Sequence, residues 1–361
     1  LTNTAAGWIN GVFFAGYAVT SPVLVGLTDR VDARRIYLPC AFLASLSLLL
    51  FGWLAADTWT AALLRLLGGI GLAGTYMPGL RALSDNIAGP KQSRHIVFYT
   101  ATYGVGTALS VYFAGLLEPL IGWRWGAALL ALAPLGALVI FAAVVPPRKP
   151  PASHAGLRIS LRDLRGVLGN RPTVGYILGY GAHCWELFGF RSWLVAFLVF
   201  SLSLLPGFQS PLSPQNIAMI VLLAGVPASI LGNEGAMAWG RRRAITFYVI
   251  GSGLLGCVLG FTAGQNFYLV AALCFLYGMT NLFDSGALTA GLVAEAPSHQ
   301  RGLTLAVYSF TGFGMAFLAP LTFGAILDAA GRGVAAWGLA FASLGIVCMS
   351  SALWLRIFQA R

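Results

Sequence analysis

Charge is what this sequence has least of. Only 9% of its 361 residues are Asp, Glu, Lys or Arg, while 58% are hydrophobic. A water-soluble domain of this length carries roughly 25% charged residues. A soluble globular chain is therefore excluded, and the mean hydropathy of +0.80 agrees. Cysteine is also scarce. Cys40, Cys184, Cys257, Cys274 and Cys348 all lie in apolar runs without a CxxC pair, which reads as buried free thiols and not as a disulfide framework or zinc site. His183-Cys184, Met219 and Met237 are soft metal ligands, but they lack clustered spacing, so no metal site is assigned. No nucleophile–base constellation is present. The glycine strings GGIGLAG (68–74) and GSGLLG (251–256) follow no strand, so they are helix contacts and not phosphate loops. The chain reads as a non-enzyme without a cofactor. Nothing at its start has the charged region and cleavage site of a signal peptide.

What is present in abundance is the apolar run of about 20 residues, the length of a helix that crosses a bilayer. These runs do not alternate in polarity, so a membrane-spanning strand barrel does not fit. Eleven helices are predicted, over 4–27, 36–55, 59–84, 95–117, 125–145, 173–200, 215–238, 244–262, 266–291, 302–327 and 334–355. The fold class is thus an all-α polytopic membrane protein.

The net charge of +11 would suggest nucleic acid in a soluble protein, but here it sorts by side. One set of alternate joints and the C-terminal tail hold 18 Lys and Arg; the opposite joints hold only Arg124 and Arg332. The basic joints and the C-terminus are expected to be cytoplasmic, in a plasma membrane of bacterial inner-membrane type. Eleven crossings then put Leu1 outside, which suggests one further helix upstream. The expected partners are a small-molecule solute, protons and membrane lipid, with no nucleic acid, and the chain is expected to be a monomer.

The basic joint from Pro146 to Pro172 divides the chain. Three segments follow: a helical bundle at 1–146, a linker at 147–172 and a second bundle at 173–361. Within the linker, Leu157 to Leu168 could form a basic amphipathic helix on anionic lipid, or a plain solvated connection. IAGPKQSR (87–94) and AEAPSHQR (294–301) each close one apolar span and open another, and glycine pairs recur at Gly104/Gly106 and Gly312/Gly314. Duplicated bundles about a central linker are the footprint of a two-lobed secondary transporter.

Three stretches make the chain similar to the major facilitator superfamily. VGLTDRVDARR (25–35) resembles the family's signature loop, with Leu27, Asp29, Arg30 and Arg34 matching and Val25 and Asp32 replacing its glycines. RLLGGIGLAG (65–74) resembles the pattern of family helix 4 through Arg65, Gly69 and Gly71. RGLTLAVYSFTGFGMAFLAPLTFGAILD (301–328) looks like family helix 11. The resemblance implies two six-helix pseudo-symmetric bundles, with eleven helices in this chain and family helix 1 absent. It also implies a conformational latch made by Asp29, Arg30, Arg34 and Asp85. In the second half, GNEGAMAWGRRR (232–243) carries Met237 where the aspartate should be, so Glu234 with Arg241 is the substitute latch. The glycine–proline pattern of many proton-driven antiporters is missing from TATYGVGTALSVYFAG (100–115).

The polar residues inside spans are the candidate site, because a charge in the membrane normally faces a cavity or a partner. YGAHCWELFGFR (180–191) puts His183 roughly 15 Å deep at 1.5 Å per residue, with Glu186 on the same face one turn on and Arg191 turned away. Glu186 could carry a proton or lock helices, for instance against Arg65; His183 could share that proton, touch solute, or be a satisfied core histidine. Arg65 is an anion contact or the partner of a titrating acid. Asp284 and Asn281 form a polar patch, lining a cavity or bonding a neighbouring helix. Tyr103 is a candidate lining aromatic. The reading is a secondary active transporter of a small anion or zwitterion, proton-coupled through alternating access. The alternatives are a proton-driven exporter of amphipathic compounds, and a non-transporting assembly factor or receptor in a membrane complex.

Overall fold

The computed structural model describes all residues except 29, 88–91, 149–160, 298–299, 332 and 360–361. Among the described residues the chain is helical throughout. The helices are α1 (Asn3–Leu27), α2 (Ala33–Leu54), α3 (Thr58–Asn86), α4 (Gln92–Leu130), α5 (Leu132–Val144), α6 (Leu161–Gly169), α7 (Arg171–Ser203), α8 (Pro214–Trp239), α9 (Arg241–Leu259), α10 (Phe267–Thr280), α11 (Ser285–Glu295), α12 (Arg301–Ala330) and α13 (Val334–Gln359).

Local chemistry explains the boundaries. Short polar side chains start the helices: Asp32 caps α2, Asp57 closes a capping box with Thr60 on α3, Ser213 caps α8 ahead of Pro214, and Asn266 caps α10. Residues 102–144 form one apolar stretch of 43 residues. As a single helix that would be about 65 Å long, twice the bilayer core. Gly122, at φ 75° and ψ 159°, breaks it inside α4. Only glycine adopts that φ without a Cβ penalty, so the stretch divides into two helices, as the sequence predicts, and with it the described residues hold ten stretches long and apolar enough to cross a membrane.

One predicted span is not continuous. Residues 266–291 were expected as one helix, but α10 ends at Thr280 and α11 begins at Ser285. The four residues between them are held by shorter turns, with Leu282 N donating to Met279 O at 3.1 Å and Phe283 N to Thr280 O at 3.3 Å. The break contains no proline. It falls where Thr280, Asn281, Asp284 and Ser285 bring short polar side chains that compete with the helical ladder. Irregular backbone at membrane depth is tolerated where protein buries it, and Asn281, Leu282 and Asp284 are all buried.

The chain forms two compact units, Val12–Arg158 and Leu1–Gly11 with Ile159–Arg361. The segment Leu1–Gly11, expected in the first bundle, groups with the second because its glycines and polar first turn pack on α12. In the larger unit α7 packs chiefly against α12 and α13, and α13 also against α9. Trp193, Phe197, Phe323, Trp337 and Phe341 interlock there. Trp193 Nε1 donates to Pro320 O at 3.1 Å. Gly253 and Gly345 bring α9 and α13 into backbone contact: a Cβ on either would collide with the carbonyl of the other. In the smaller unit α2 and α3 form the main pair, with α4 and α5 against α2. α6 is the short linker helix, Leu161–Gly169; residues 157–160 of the amphipathic helix suggested by the sequence lie outside the described residues.

Candidate functional site

The break between α10 and α11 positions the most concentrated polar chemistry in the larger unit. Asp284 lies at the entry to α11 but does not cap it. Its carboxylate turns to α7 instead, where His183 Nδ1 lies 2.8 Å from Asp284 Oδ1. That is ion-pair distance, although the ring N–H is not aligned on the oxygen and neither Asp284 oxygen completes a hydrogen bond among the described residues. The two side chains are 1% and 3% exposed, so the pair is sealed from water. Tyr180 stacks on His183 from one turn below, with ring centroids 5.8 Å apart. Tyr180 also stacks on Tyr308 of α12 at 3.8 Å, and the Tyr308 hydroxyl shares a 2.9 Å bond with Thr289.

Asn281 is 1% exposed, and neither amide atom finds a partner among the described residues. It shares a narrow recess with Arg191, Phe190, Val221 and Gly278. A buried, unpaired polar group costs about 1–3 kcal/mol, and Asn281 and Asp284 place several such atoms in one turn of chain. The fold tolerates this local expense at the helix break.

Glu186 is equally buried but meets different neighbours. Ser252 Oγ of α9 donates to Glu186 Oε1 at 2.9 Å, and Thr280 Oγ1 stands 3.4 Å from that serine as a donor. The Tyr277 hydroxyl faces the same carboxylate from α10 without completing a bond. From α13 the Cys348 thiol faces it too, while donating to Val249 O at 3.6 Å. None of these partners is a cation.

The smaller unit holds Arg65. Its guanidinium lies over the Phe13 ring, 4.5 Å from the centroid, a cation–π contact. Beside it is a cavity of about 240 Å³, walled mostly by apolar side chains with Tyr37, Ser47 and Thr75 as its polar points. Tyr103 packs its ring on Tyr76 at 5.4 Å, and Tyr76 on Tyr99 at 5.8 Å. Tyr103 thus belongs to an aromatic cluster, not to the Arg65 cavity.

The predicted latch is partly described. Asp29 lies outside the described residues. Arg34 donates to the carbonyl of Val145, and Arg81 pairs with Asp85 at 3.1 Å. Asp32, read from sequence only as a replaced glycine, caps α2 through Arg34 N and accepts from Arg148 N at 3.0 Å. Arg148 also donates to the Asp85 carbonyl. Asp32 and Arg148 therefore tie the ends of α2, α3 and α5 together. Arg30 is exposed. In the other unit, Glu234 is exposed and makes no ion pair with Arg241 among the described residues, so the substitute latch is not assembled.

Sequence spacing put His183 and Glu186 on one face. The structure gives them separate partners, Asp284 for the first and Ser252 for the second. It also adds Ser252, Tyr277 and Tyr308, whose only signal in the sequence was a hydroxyl inside an apolar span.

Comparison with known proteins agrees with this architecture. Residues 1–320 match the Major Facilitator Superfamily. The sphingosine-1-phosphate transporter SPNS2 of Xenopus tropicalis is 26% identical over 337 residues, covering 86% of this chain and 63% of that protein. The chain thus spans less than two thirds of that relative's length. The putative niacin/nicotinamide transporter NiaP of Bacillus subtilis is 24% identical, covering 81% of this chain and 72% of the relative. Among solved structures, the nucleoside transporter NupG superposes with a TM-score of 0.75 at 14% identity, over 100% of this chain and 91% of that one. A bacterial homologue of the human lysosomal transporter Spinster, in an inward-facing, unoccupied conformation, gives 0.70 at 16% identity, over 100% and 88%. A helical chain with ten candidate membrane spans among its described residues, matched across residues 1–320, is a multi-pass membrane protein and belongs to the major facilitator superfamily.

Proposed function

We propose that the chain is a secondary active transporter that moves a small anion or zwitterion by alternating access and couples that movement to protons. The observation that carries this reading is the His183–Asp284 pair, 2.8 Å apart and sealed at the break between α10 and α11. A buried ion pair adds little net stability compared with apolar packing. Intramembrane ionisable groups of this kind mark proton relays and solute paths. A histidine against a carboxylate sets a proton donor and a proton acceptor side by side, and a broken helix supplies a joint that can move with them. Glu186, one turn away and hydrogen-bonded to Ser252, is a second acid in the same unit and the further coupling candidate. Arg65, in its apolar cavity, is the anion contact of the other unit. The basic joints and the C-terminus face the cytoplasm on this reading.

A second reading has a specific support. Relatives from frog and zebrafish are named sphingosine-1-phosphate transporters, so the solute could be an amphipathic zwitterion and the direction outward.

Proteoliposomes containing the chain separate these readings. Nicotinate serves as the small-anion probe and sphingosine-1-phosphate as the amphipathic one. The expected result is nicotinate uptake driven by an inward proton gradient, abolished by a protonophore and reduced at least tenfold by Asp284→Asn. Movement of sphingosine-1-phosphate alone would transfer the assignment to the amphipathic reading. Transport that ignores the proton gradient, or that survives Asp284→Asn and Glu186→Gln unchanged, would sink the coupling assignment.

A further inference from the structure

The start of α1 is held by a helix far away in sequence. An α-helix leaves its first N–H groups without intrahelical partners. In α1, Thr2 serves that of Ala5, its Oγ1 accepting from Ala5 N at 3.1 Å, while its carbonyl accepts the first bond of the helical ladder from Ala6 N at 3.1 Å. The other two are served by Asp328, near the end of α12. Asn3 N donates to Asp328 Oδ1 at 3.0 Å and Thr4 N to Asp328 Oδ2 at 2.7 Å. The side chains repeat the grip: Asn3 Nδ2 donates to Oδ1 at 2.9 Å and Thr4 Oγ1 to Oδ2 at 2.6 Å. Both carboxylate oxygens thus accept twice, each from a backbone and a side-chain donor. The negative charge also sits at the positive end of the α1 dipole.

Below this grip the two helices meet backbone to backbone. A Cβ at Gly7 would strike the Pro320 carbonyl, one at Gly11 the Phe317 carbonyl, and one at Gly324 the Asn3 carbonyl. Gly7 and Gly11 are four apart, the small-xxx-small spacing that lets membrane helices approach closely. Trp8 covers the seam edge-on to Phe317, with centroids 5.5 Å apart. The two layers differ in how they can come apart. Gly7 and Gly324 are buried, whereas Asp328 is exposed. Water can therefore compete for the four polar bonds first, and the glycine seam can part only afterwards.

We propose that Asp328 is a latch: its carboxylate clamps the first turn of α1 to α12, and its release is the step that frees residues 3–11 from the seam. The two layers of the grip fit a device that opens more than a permanent weld. The outer one is solvent-facing and made by one side chain, and behind it lie the glycine contacts with the α12 backbone and the Trp8–Phe317 ring edge.

The test uses the full chain in lipid nanodiscs and follows deuterium uptake by peptides covering 1–11 and 317–330. Asp328→Ala should speed exchange in both peptides at least tenfold, while leaving the α9–α13 contact around Gly253 and Gly345 unchanged. Asp328→Glu should recover most of the protection and Asp328→Asn part of it. A second variant, Thr4→Cys/Asp328→Cys, should form a disulfide that lowers exchange in the two peptides below the wild-type rate, and a reductant should restore it. Three outcomes would overturn the latch: rates within twofold of wild type in Asp328→Ala, acceleration spread evenly over all helices, or a locked pair that exchanges as fast as Asp328→Ala.

Discussion

The His183–Asp284 pair makes an energetic prediction that does not depend on knowing the solute. At 2.8 Å and an effective dielectric of 20, the attraction between full charges is about 6 kcal/mol. Desolvating each ion costs several kcal/mol, so the net worth of the intact pair is close to zero. Its two halves are nevertheless unequal. Removing His183 leaves a buried carboxylate that completes no hydrogen bond among the described residues, and breaking a buried pair this way costs about 3–5 kcal/mol. Removing Asp284 leaves a buried imidazole without its close polar neighbour, and an unpaired buried polar group costs about 1–3 kcal/mol. His183→Ala should therefore be the more damaging single change. The double variant His183→Ala/Asp284→Ala should cost less than His183→Ala alone. Reversible unfolding in mixed micelles, with both single variants and the double, measures the cycle. The reasoning is wrong if the single costs add to within about 0.5 kcal/mol, as they do for independent sites.

Three further outcomes follow from other parts of the structure. Ser252→Ala removes the only hydroxyl that completes a hydrogen bond to Glu186 among the described residues; the same unfolding assay should show a loss of about 1–3 kcal/mol. Gly345→Ala drives a Cβ into the Gly253 carbonyl, and overpacking of this kind costs about 1–3 kcal/mol, to be read as a lower thermal midpoint; an unchanged midpoint would mean that α13 can shift freely. Asp57 caps α3 outside the spans, and its carboxyl is held below its ordinary value of 3.8 first by the Thr60 amide, then by the Thr60 hydroxyl and the Trp59 amide. A depressed folded value means that the cap contributes fully above about pH 4 and is lost as pH falls through the folded value. Relative to the intrinsic exchange rate at each pH, protection in the first turn of α3 should fall on acidification in the wild-type chain and be low at every pH in Asp57→Ala.

Much of the fold was legible because the bilayer imposes a length. Apolar runs of about 20 residues had to be crossings, and the two helices merged across Gly122 were separated in the sequence by the same rule. The break at Asn281–Asp284 was not legible. Each of its residues is tolerated singly in a membrane helix, no proline marks the site, and the flanking Gly278 and Gly286 are no different from the many other glycines of the spans. The break depends on burial by neighbouring helices, a tertiary fact that no local pattern encodes. Asp32 escaped notice for a related reason: it read as a departure from a motif, whereas its use lies in reaching Arg148, 116 residues away.

The partners of His183 and Glu186 show why spacing alone could not assign the site. Residues three apart on a helix differ by about 60° in direction and one turn in height. On an exposed helix that difference is small, since both side chains look into the same water or the same groove. α7 is instead enclosed, packed against α8, α10, α11, α12 and α13. A turn of 60° then exchanges one neighbour for the next. His183 reaches the entry of α11, while Glu186 reaches Ser252 on α9. In an enclosed helix, a shared face therefore predicts proximity of the two side chains but not a shared partner. For coupling, this means that Glu186→Gln and Asp284→Asn perturb distinct contacts. If a proton passes between the two acids, either substitution alone should abolish gradient-driven uptake; if only the helix break moves it, Asp284→Asn should do so and Glu186→Gln should not.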